Sequence, residues 1–162
     1  MRRGPLAGLG AAVLAGLALL SATASADDGP FSGYAGRWVG NGSIKMASGA
    51  SEPIKCRVTY FISNGGATLQ QNIRCASDSY AFEVKSNVQA AGGSLSGTWE
   101  ETTRSVVGDL SGSLKGRNIR LSVSAPNFSA SMSVEMSGSG QSVVISPKGI
   151  DVTRVSIGLR RG

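Results

Sequence analysis

The chain has 162 residues, a formal net charge of +6, two cysteines and no histidine. This length suffices for one domain around one hydrophobic core. Without histidine the chain cannot build a Ser-His-Asp or Cys-His nucleophile system, and it lacks the commonest ligand of zinc and haem. We therefore predict no catalytic constellation, no metal site and no cofactor, and carboxylate chemistry is the remaining route to an enzyme.

Residues 1–26 have the pattern of a secretory signal peptide. Two arginines near the start precede an apolar stretch that ends near Leu20, and Ala24-Ser25-Ala26 is a small-x-small sequence that signal peptidase accepts. The apolar stretch is short for a membrane span, which disfavours the alternative of an uncleaved anchor. The sequence predicts a mature protein that starts at Asp27, has no membrane span, and is periplasmic or secreted.

From Gly36 onward, after a lead of residues 27–35, apolar residues recur at every second position, which is the period of a strand. Ten such segments are separated by short turns rich in Gly, Ser and Asn. Connections this short favour antiparallel neighbours, because a parallel crossover needs a dozen or more residues. The pattern predicts one all-β domain over residues 36–162, an antiparallel up-and-down meander of about ten strands.

The meander is expected to close into a soluble barrel, because closure removes the open edges of a flat sheet. A flattened sandwich is the alternative. A membrane barrel is disfavoured, since the aromatic residues do not fall into two girdles at the strand ends. Five glycines on the apolar face are consistent with closure, because small inward residues allow strands to bend sharply: Gly40, Gly42, Gly97, Gly108 and Gly112.

The only two cysteines, Cys56 and Cys75, flank an Asn-Gly-Gly turn signal. One antiparallel register places them directly opposite each other on the inner face, within reach of a disulfide. That register leaves a loop of two residues, Gly65-Gly66, or of four, residues 64–67, and we favour four. A redox pair would more usually show Cys-x-x-Cys, and a zinc site would need more ligands. An oxidising compartment makes a structural disulfide the expected outcome.

The inward positions carry an aromatic and Met-rich set that suits an apolar or amphipathic ligand. The alternative interpretation is that these residues only pack the hydrophobic core. Gln71 and the Tyr60 hydroxyl would be the polar contacts of such a ligand. The candidate lining of the barrel consists of Trp38, Tyr60, Gln71, Phe82, Trp99, Phe128 and Met132.

Glu101 is a carboxylate that the strand pattern places on the inner face beside this set. It shares the parity of Trp99, whereas Glu100 points to the opposite face, so the two cannot form a facing acid/base pair. Glu101 is therefore either a rim or cavity carboxylate or a solvated strand end. We do not predict an enzyme.

The stretch YAGRWVGNGSIKM contains Gly36-x-Trp38, which resembles the G-x-W opening of the calycin superfamily of lipocalins, avidins and fatty-acid-binding proteins. LSGTWEE and DVTRVSIGLRR are similar to barrel strands of the avidin or lipocalin type. The resemblance implies a barrel closed at one end with a ligand site at the other. It also implies a cation from the last strand across the tryptophan, for which Arg154 and Arg160 are the candidates. The ten-stranded haem-binding barrels of this type use a histidine that this chain lacks.

The chain also resembles small exported proteins of alphaproteobacteria. The sequence favours an exported barrel protein that binds a small apolar or amphipathic ligand in its interior. The alternative is a packed barrel that acts through its surface, as a protein-interaction or protease-inhibitor module of the cell envelope. Interior volume separates the two, since a ligand needs a void of roughly 300 Å³ or more. Sixteen Lys and Arg residues are dispersed along the chain without a long run, so no nucleic-acid partner is predicted.

Overall fold

The computed structural model describes residues 29–162, so the predicted signal peptide lies outside the described residues. Almost all of the described chain is antiparallel β structure, preceded by a single 3-10 turn over Ser32–Tyr34. Within residues 29–162, no helix has the length and apolar character needed to span a membrane. The strands are β1 (Gly36–Met46), β2 (Ser51–Ser63), β3 (Thr68–Ala76), β4 (Ala81–Ala91), β5 (Ser94–Glu101), β6 (Val106–Lys115), β7 (Asn118–Ala125), β8 (Phe128–Ser137), β9 (Gly140–Lys148) and β10 (Val152–Arg161).

Each strand pairs with the next one along the chain, and β1 pairs with β10, so the sheet is a closed barrel. The predicted ten-stranded meander and its closure are confirmed, and the flattened sandwich is not observed. The alternation in the sequence explains the result, because it gives every strand one apolar face. In β2, for example, Ile54, Cys56 and Val58 are buried, while Lys55 and Arg57 are exposed.

Glycines on the inner face let neighbouring strands approach more closely than any side chain would permit. A methyl group built at Gly40 would overlap the backbone carbonyl oxygen of Gly158, and one at Gly42 would overlap that of Ser156. Gly97, Gly108 and Gly112 meet carbonyl oxygens of their neighbouring strands in the same way. The curvature of the barrel therefore depends on the absence of a Cβ at these positions.

The β2–β3 hairpin has the predicted register and the four-residue loop. Ser63 opposes Thr68, and Cys56 opposes Cys75 with a Cα–Cα distance of 4.2 Å and a disulfide between them. This short separation is typical of a non-hydrogen-bonded pair. Asn64 has a positive φ of 52°, a conformation that asparagine tolerates better than most residues and that the tight turn requires.

The two ends of the barrel differ. The turns after β2, β4, β6 and β8 lie at the end where β1 begins and β10 finishes, and we call it the closed end. Phe31 and Tyr34 are fully buried there. The backbone N–H of Phe31 donates to the carbonyl oxygen of Gly66 (3.0 Å), and the Tyr34 hydroxyl donates to that of Arg117 (2.7 Å). Residues 29–35 thus cover this end, and the remaining turns surround the opposite, open end.

Candidate functional site

Trp38 lies at the closed end and is sealed from solvent, with 1% of its surface exposed. Its indole N–H donates to the carbonyl oxygen of Tyr34 (2.8 Å), and the guanidinium carbon of Arg161 lies 4.5 Å from the ring centroid. The cation over the tryptophan is therefore Arg161, and the assignment to Arg154 or Arg160 was wrong. The alternation of β10 explains the error, because Arg154 and Arg160 occupy outward positions and Arg161 opposes Trp38 directly.

A chain of hydrogen bonds crosses the interior of the barrel. The Tyr60 hydroxyl donates to Oε1 of Gln141 (3.1 Å), Nε2 of Gln71 donates to the Tyr60 hydroxyl (3.4 Å), and the Ser86 hydroxyl donates to Oε1 of Gln71 (2.9 Å). Burial raises the pKa of Tyr60, so its hydroxyl remains a donor. Gln141 was not among the predicted site residues, although it shares the inward parity of Val143 two residues later.

Two buried donors in the described part of the chain have no hydrogen-bond partner. They are Nε2 of Gln141 and Nε1 of Trp99, in side chains that are 4% and 6% exposed. A buried N–H without a partner is costly, commonly by about 1–3 kcal/mol. Nε1 of Trp99, on the side of the open end, is therefore suited to donate to an acceptor on a bound molecule, whereas Nε2 of Gln141 lies in the packed closed side.

The part of the barrel next to the closed end is closely packed. Phe31, Tyr60, Gln71 and Met132, together with other apolar side chains, surround a cavity of about 10 Å³. This volume is close to what a single water molecule needs. An interior ligand needs roughly 300 Å³ or more, so by volume this part of the interior is that of the packed-barrel alternative, and a molecule of the size of a lipid or cofactor has no room in it.

The open end has an apolar rim, which we call the mouth: Met46, Phe82, Val84, Trp99, Val106 and Phe128. Phe82, Val106 and Phe128 stand at or next to the first residue of β4, β6 and β8, and they are only partly buried. Trp99 lies one layer deeper, with its ring centroid 5.5 Å from that of Phe128. The mouth therefore presents partly covered aromatic and aliphatic surface to solvent.

The predicted lining residues all belong to the inner face, but they do not form one site. Trp38 lies at the closed end, and Tyr60, Gln71 and Met132 surround the small cavity beneath Phe31. The other three predicted residues lie at the mouth. A ligand that contacts the mouth therefore cannot also contact Trp38 while the closed side of the barrel remains packed.

Glu101 lies at the rim and is 9% exposed, so it is not a solvated strand end. Its carboxylate accepts hydrogen bonds from the Thr103 hydroxyl and from the backbone N–H groups of Glu83 (3.1 Å), Thr103 (3.3 Å) and Arg104 (2.9 Å). Burial alone would raise the pKa of Glu101, but these bonds and the Arg104 guanidinium lower it. The carboxylate holds the β5–β6 turn in place.

The outer wall carries a shallow groove across β2–β6 with a volume of about 390 Å³. Phe61 and Val107 line it and are 60% and 61% exposed. The side-chain oxygen of Asn72, also in the groove, is buried without a partner among the described residues. This groove was not predicted, because it forms only where outward positions of five separate strands come together.

Neither a protein-family profile nor a curated protein matches the chain. Several solved structures are similar in fold, among them the following two. Rv2717c from M. tuberculosis has 13% sequence identity and a TM-score of 0.59, and the match covers 82% of this chain and 93% of that one. The S-type phycobiliprotein lyase CPES from Guillardia theta has 10% identity and a TM-score of 0.60, with 82% and 90% covered. The likeness supports a β-barrel fold.

Proposed function

We propose that the protein binds a small apolar or amphipathic ligand at the open end of the barrel interior. The observation that carries this proposal is the difference between the two ends. Phe31, Tyr34 and Trp38 seal one end, whereas Phe82 and Phe128 leave apolar surface partly uncovered at the other. Apolar surface in a concave site is typical of small-molecule binding, and barrel mouths are common places for such sites.

The ligand occupies the rim layer of the barrel. The cavity of about 10 Å³ beneath Phe31 leaves no room deeper in the barrel, so the apolar part of the ligand takes the space that Phe82 and Phe128 now fill. An amphipathic molecule fits this geometry, because its polar group stays at the solvent side of the mouth. The indole N–H of Trp99, which has no partner among the described residues, is available to an acceptor on the ligand.

The similarity to a phycobiliprotein lyase barrel is compatible with ligand binding. We further propose that the protein is exported to the periplasm or secreted. The signal-peptide pattern of residues 1–26 and the Cys56–Cys75 disulfide support export, because disulfides persist mainly in oxidising compartments.

Neighbouring residues on opposite faces of β6 give a matched test of the ligand site. Val106 belongs to the mouth, whereas Val107 is on the outer wall. We expect Val106→Glu to weaken binding of 11-(dansylamino)undecanoic acid at least tenfold, about 1.4 kcal/mol, because apolar contact with a carboxylate is unfavourable. Val107→Glu should bind the probe as the wild type does. Absence of saturable binding, or equal loss in both variants, would overturn the proposal.

The second candidate function is a surface role as an envelope protein-interaction or protease-inhibitor module. The exposed Phe61 and Val107 favour it, as does the packed interior beneath Phe31. In that case Val107→Glu, and not Val106→Glu, should reduce co-purification of a partner from a periplasmic extract. The same pair of variants thus separates the two candidates.

A further inference from the structure

One part of the outer wall is strongly basic, although the cations are dispersed along the sequence. We define the basic wall as the outward-facing residues of β10, β1, β2 and β3, which are adjacent in the barrel. The acidic residue in these strands, Glu52, has the inward parity of Ile54 and accepts hydrogen bonds from Ser79. The cations of the wall are Arg37, Lys45, Lys55, Arg57, Arg74, Arg154 and Arg160, all exposed.

The strand register brings these cations into rows. Arg160 opposes Val39, Val39 opposes Arg57, and Arg57 opposes Arg74, so one row crosses four strands. With strands about 4.8 Å apart, this row is about 14 Å wide. Lys45 lies six residues further along β1 than Val39, about 20 Å at the rise of a strand. The wall is therefore an extended cationic surface.

Two cross-strand pairs in the wall join like charges. Arg57 stands directly opposite Arg74, and Lys45 directly opposite Arg154. Like charges at directly opposed positions destabilise a sheet. Glu83 offsets part of the repulsion between Arg57 and Arg74, because its Oε2 lies 3.1 Å from Nε of Arg74. No ion pair in the described chain involves Lys45, Arg57 or Arg154. An external anionic surface would relieve this repulsion.

The opposite wall differs from the basic wall in charge, and this difference makes the surface of the molecule electrostatically asymmetric. Its central row consists of serines paired across successive strands, without a charge. The row comprises Ser96, Ser111, Ser122, Ser131 and Ser146. Electrostatic attraction to an anionic surface will therefore orient the barrel with the basic wall towards it.

We infer that the basic wall docks on the surface of an anionic phospholipid bilayer. The positive charge is spread over a convex wall, which suits many headgroups better than one enclosed anion, and a convex wall does not enter the grooves of a nucleic-acid duplex. Phe61 on β2 is 60% exposed on the same wall, and Val39 lies in its centre, so both are available to the headgroup region. The inference does not rest on a ligand in the mouth.

The test compares two triple variants with the same loss of charge. Lys45→Gln/Arg57→Gln/Arg160→Gln removes three cations from the basic wall, and Lys85→Gln/Lys115→Gln/Lys148→Gln removes three from other strands. We expect wild type and the second triple to bind vesicles of phosphatidylglycerol and phosphatidylcholine, with binding weakened by salt. The basic-wall triple should bind roughly 100-fold more weakly, at about fivefold per cation. Both variants carry the same N-terminal segment, so a difference between them reports the wall.

Equal losses in the two triples would overturn the inference, because net charge alone would then explain the binding. So would equal binding to pure phosphatidylcholine vesicles, or binding to a duplex oligonucleotide without binding to vesicles. The midpoint of thermal unfolding of the basic-wall triple should equal or exceed that of the wild type, because the triple removes the repulsion in two like-charge pairs. A lower midpoint would contradict the claim that these pairs repel each other. Val106→Glu should leave vesicle binding unchanged, so a failure of the ligand proposal is distinguishable.

Discussion

Removal of the Cys56–Cys75 disulfide should measurably lower the free energy of unfolding. The cysteines are 19 residues apart, and in the chain-entropy model a closed loop of this size constrains the unfolded chain by about 3 kcal/mol. Both side chains are buried, 3% and 4% exposed, so Cys56→Ala/Cys75→Ala also loses about 1 kcal/mol of packing at each site. We expect a total loss of about 5 kcal/mol in the double variant and about 3 kcal/mol in the reduced wild type.

Urea unfolding of the oxidised wild type, the reduced wild type and the double variant measures these losses separately. The slope of the unfolding free energy against urea should rise when the disulfide is absent, because the unfolded chain then exposes more surface. The account predicts that the oxidised wild type is the most stable form, the reduced wild type is less stable, and the double variant is the least stable. Equal midpoints for oxidised and reduced protein would refute the claim that the disulfide stabilises the β2–β3 hairpin.

Three other predictions concern the rest of the barrel. Gly42→Ala should lower the free energy of unfolding in urea by about 2 kcal/mol or more, because its methyl group would overlap the β10 backbone. Gly158→Ala, whose methyl group would enter open space, should lower it much less. Equal losses in the two variants would contradict the account. Burial raises the pKa of Tyr34 from 10.0 to about 12, so stability should fall as pH rises between these values, and Tyr34→Phe should reduce the fall seen by circular dichroism. The pKa of Glu101 is lowered in the folded state, so its contribution exists above the ordinary pKa of glutamate and is lost as pH falls through the folded value. Glu101→Gln should therefore lower the thermal midpoint at neutral pH and flatten its acid dependence, and an unchanged acid profile would argue against the turn-holding role.

The sequence predicted the architecture well, because strand alternation is a local signal that every segment repeats. The register of β2 and β3 followed from two cysteines that had to meet, and the closure followed from the open edges that a flat sheet would leave, with which the glycines on the apolar face are consistent. Both are constraints of geometry that a single sequence can carry. The alternation also assigned Trp38, Trp99 and the other lining residues to the inner face.

The arrangement of the site depended on features that alternation does not contain. Phe31 and Tyr34 lie in a segment without a strand period, so their burial at the closed end gave no sequence signal. The position of Arg161 over Trp38 required the pairing of β1 with β10. The volume of the interior is set by how the side chains fill it. The basic wall is formed by the register of four strands.

Quenching of tryptophan fluorescence by a brominated stearic acid tests the central claim most directly, because bromine quenches on contact. Trp38→Phe leaves Trp99 at the mouth as the only tryptophan, and Trp99→Phe leaves Trp38 at the closed end. The account predicts saturable quenching of Trp99 and none of Trp38, with unbrominated stearic acid as the control. Equal quenching of both tryptophans, or quenching of neither, would contradict a ligand site at the open end of the barrel.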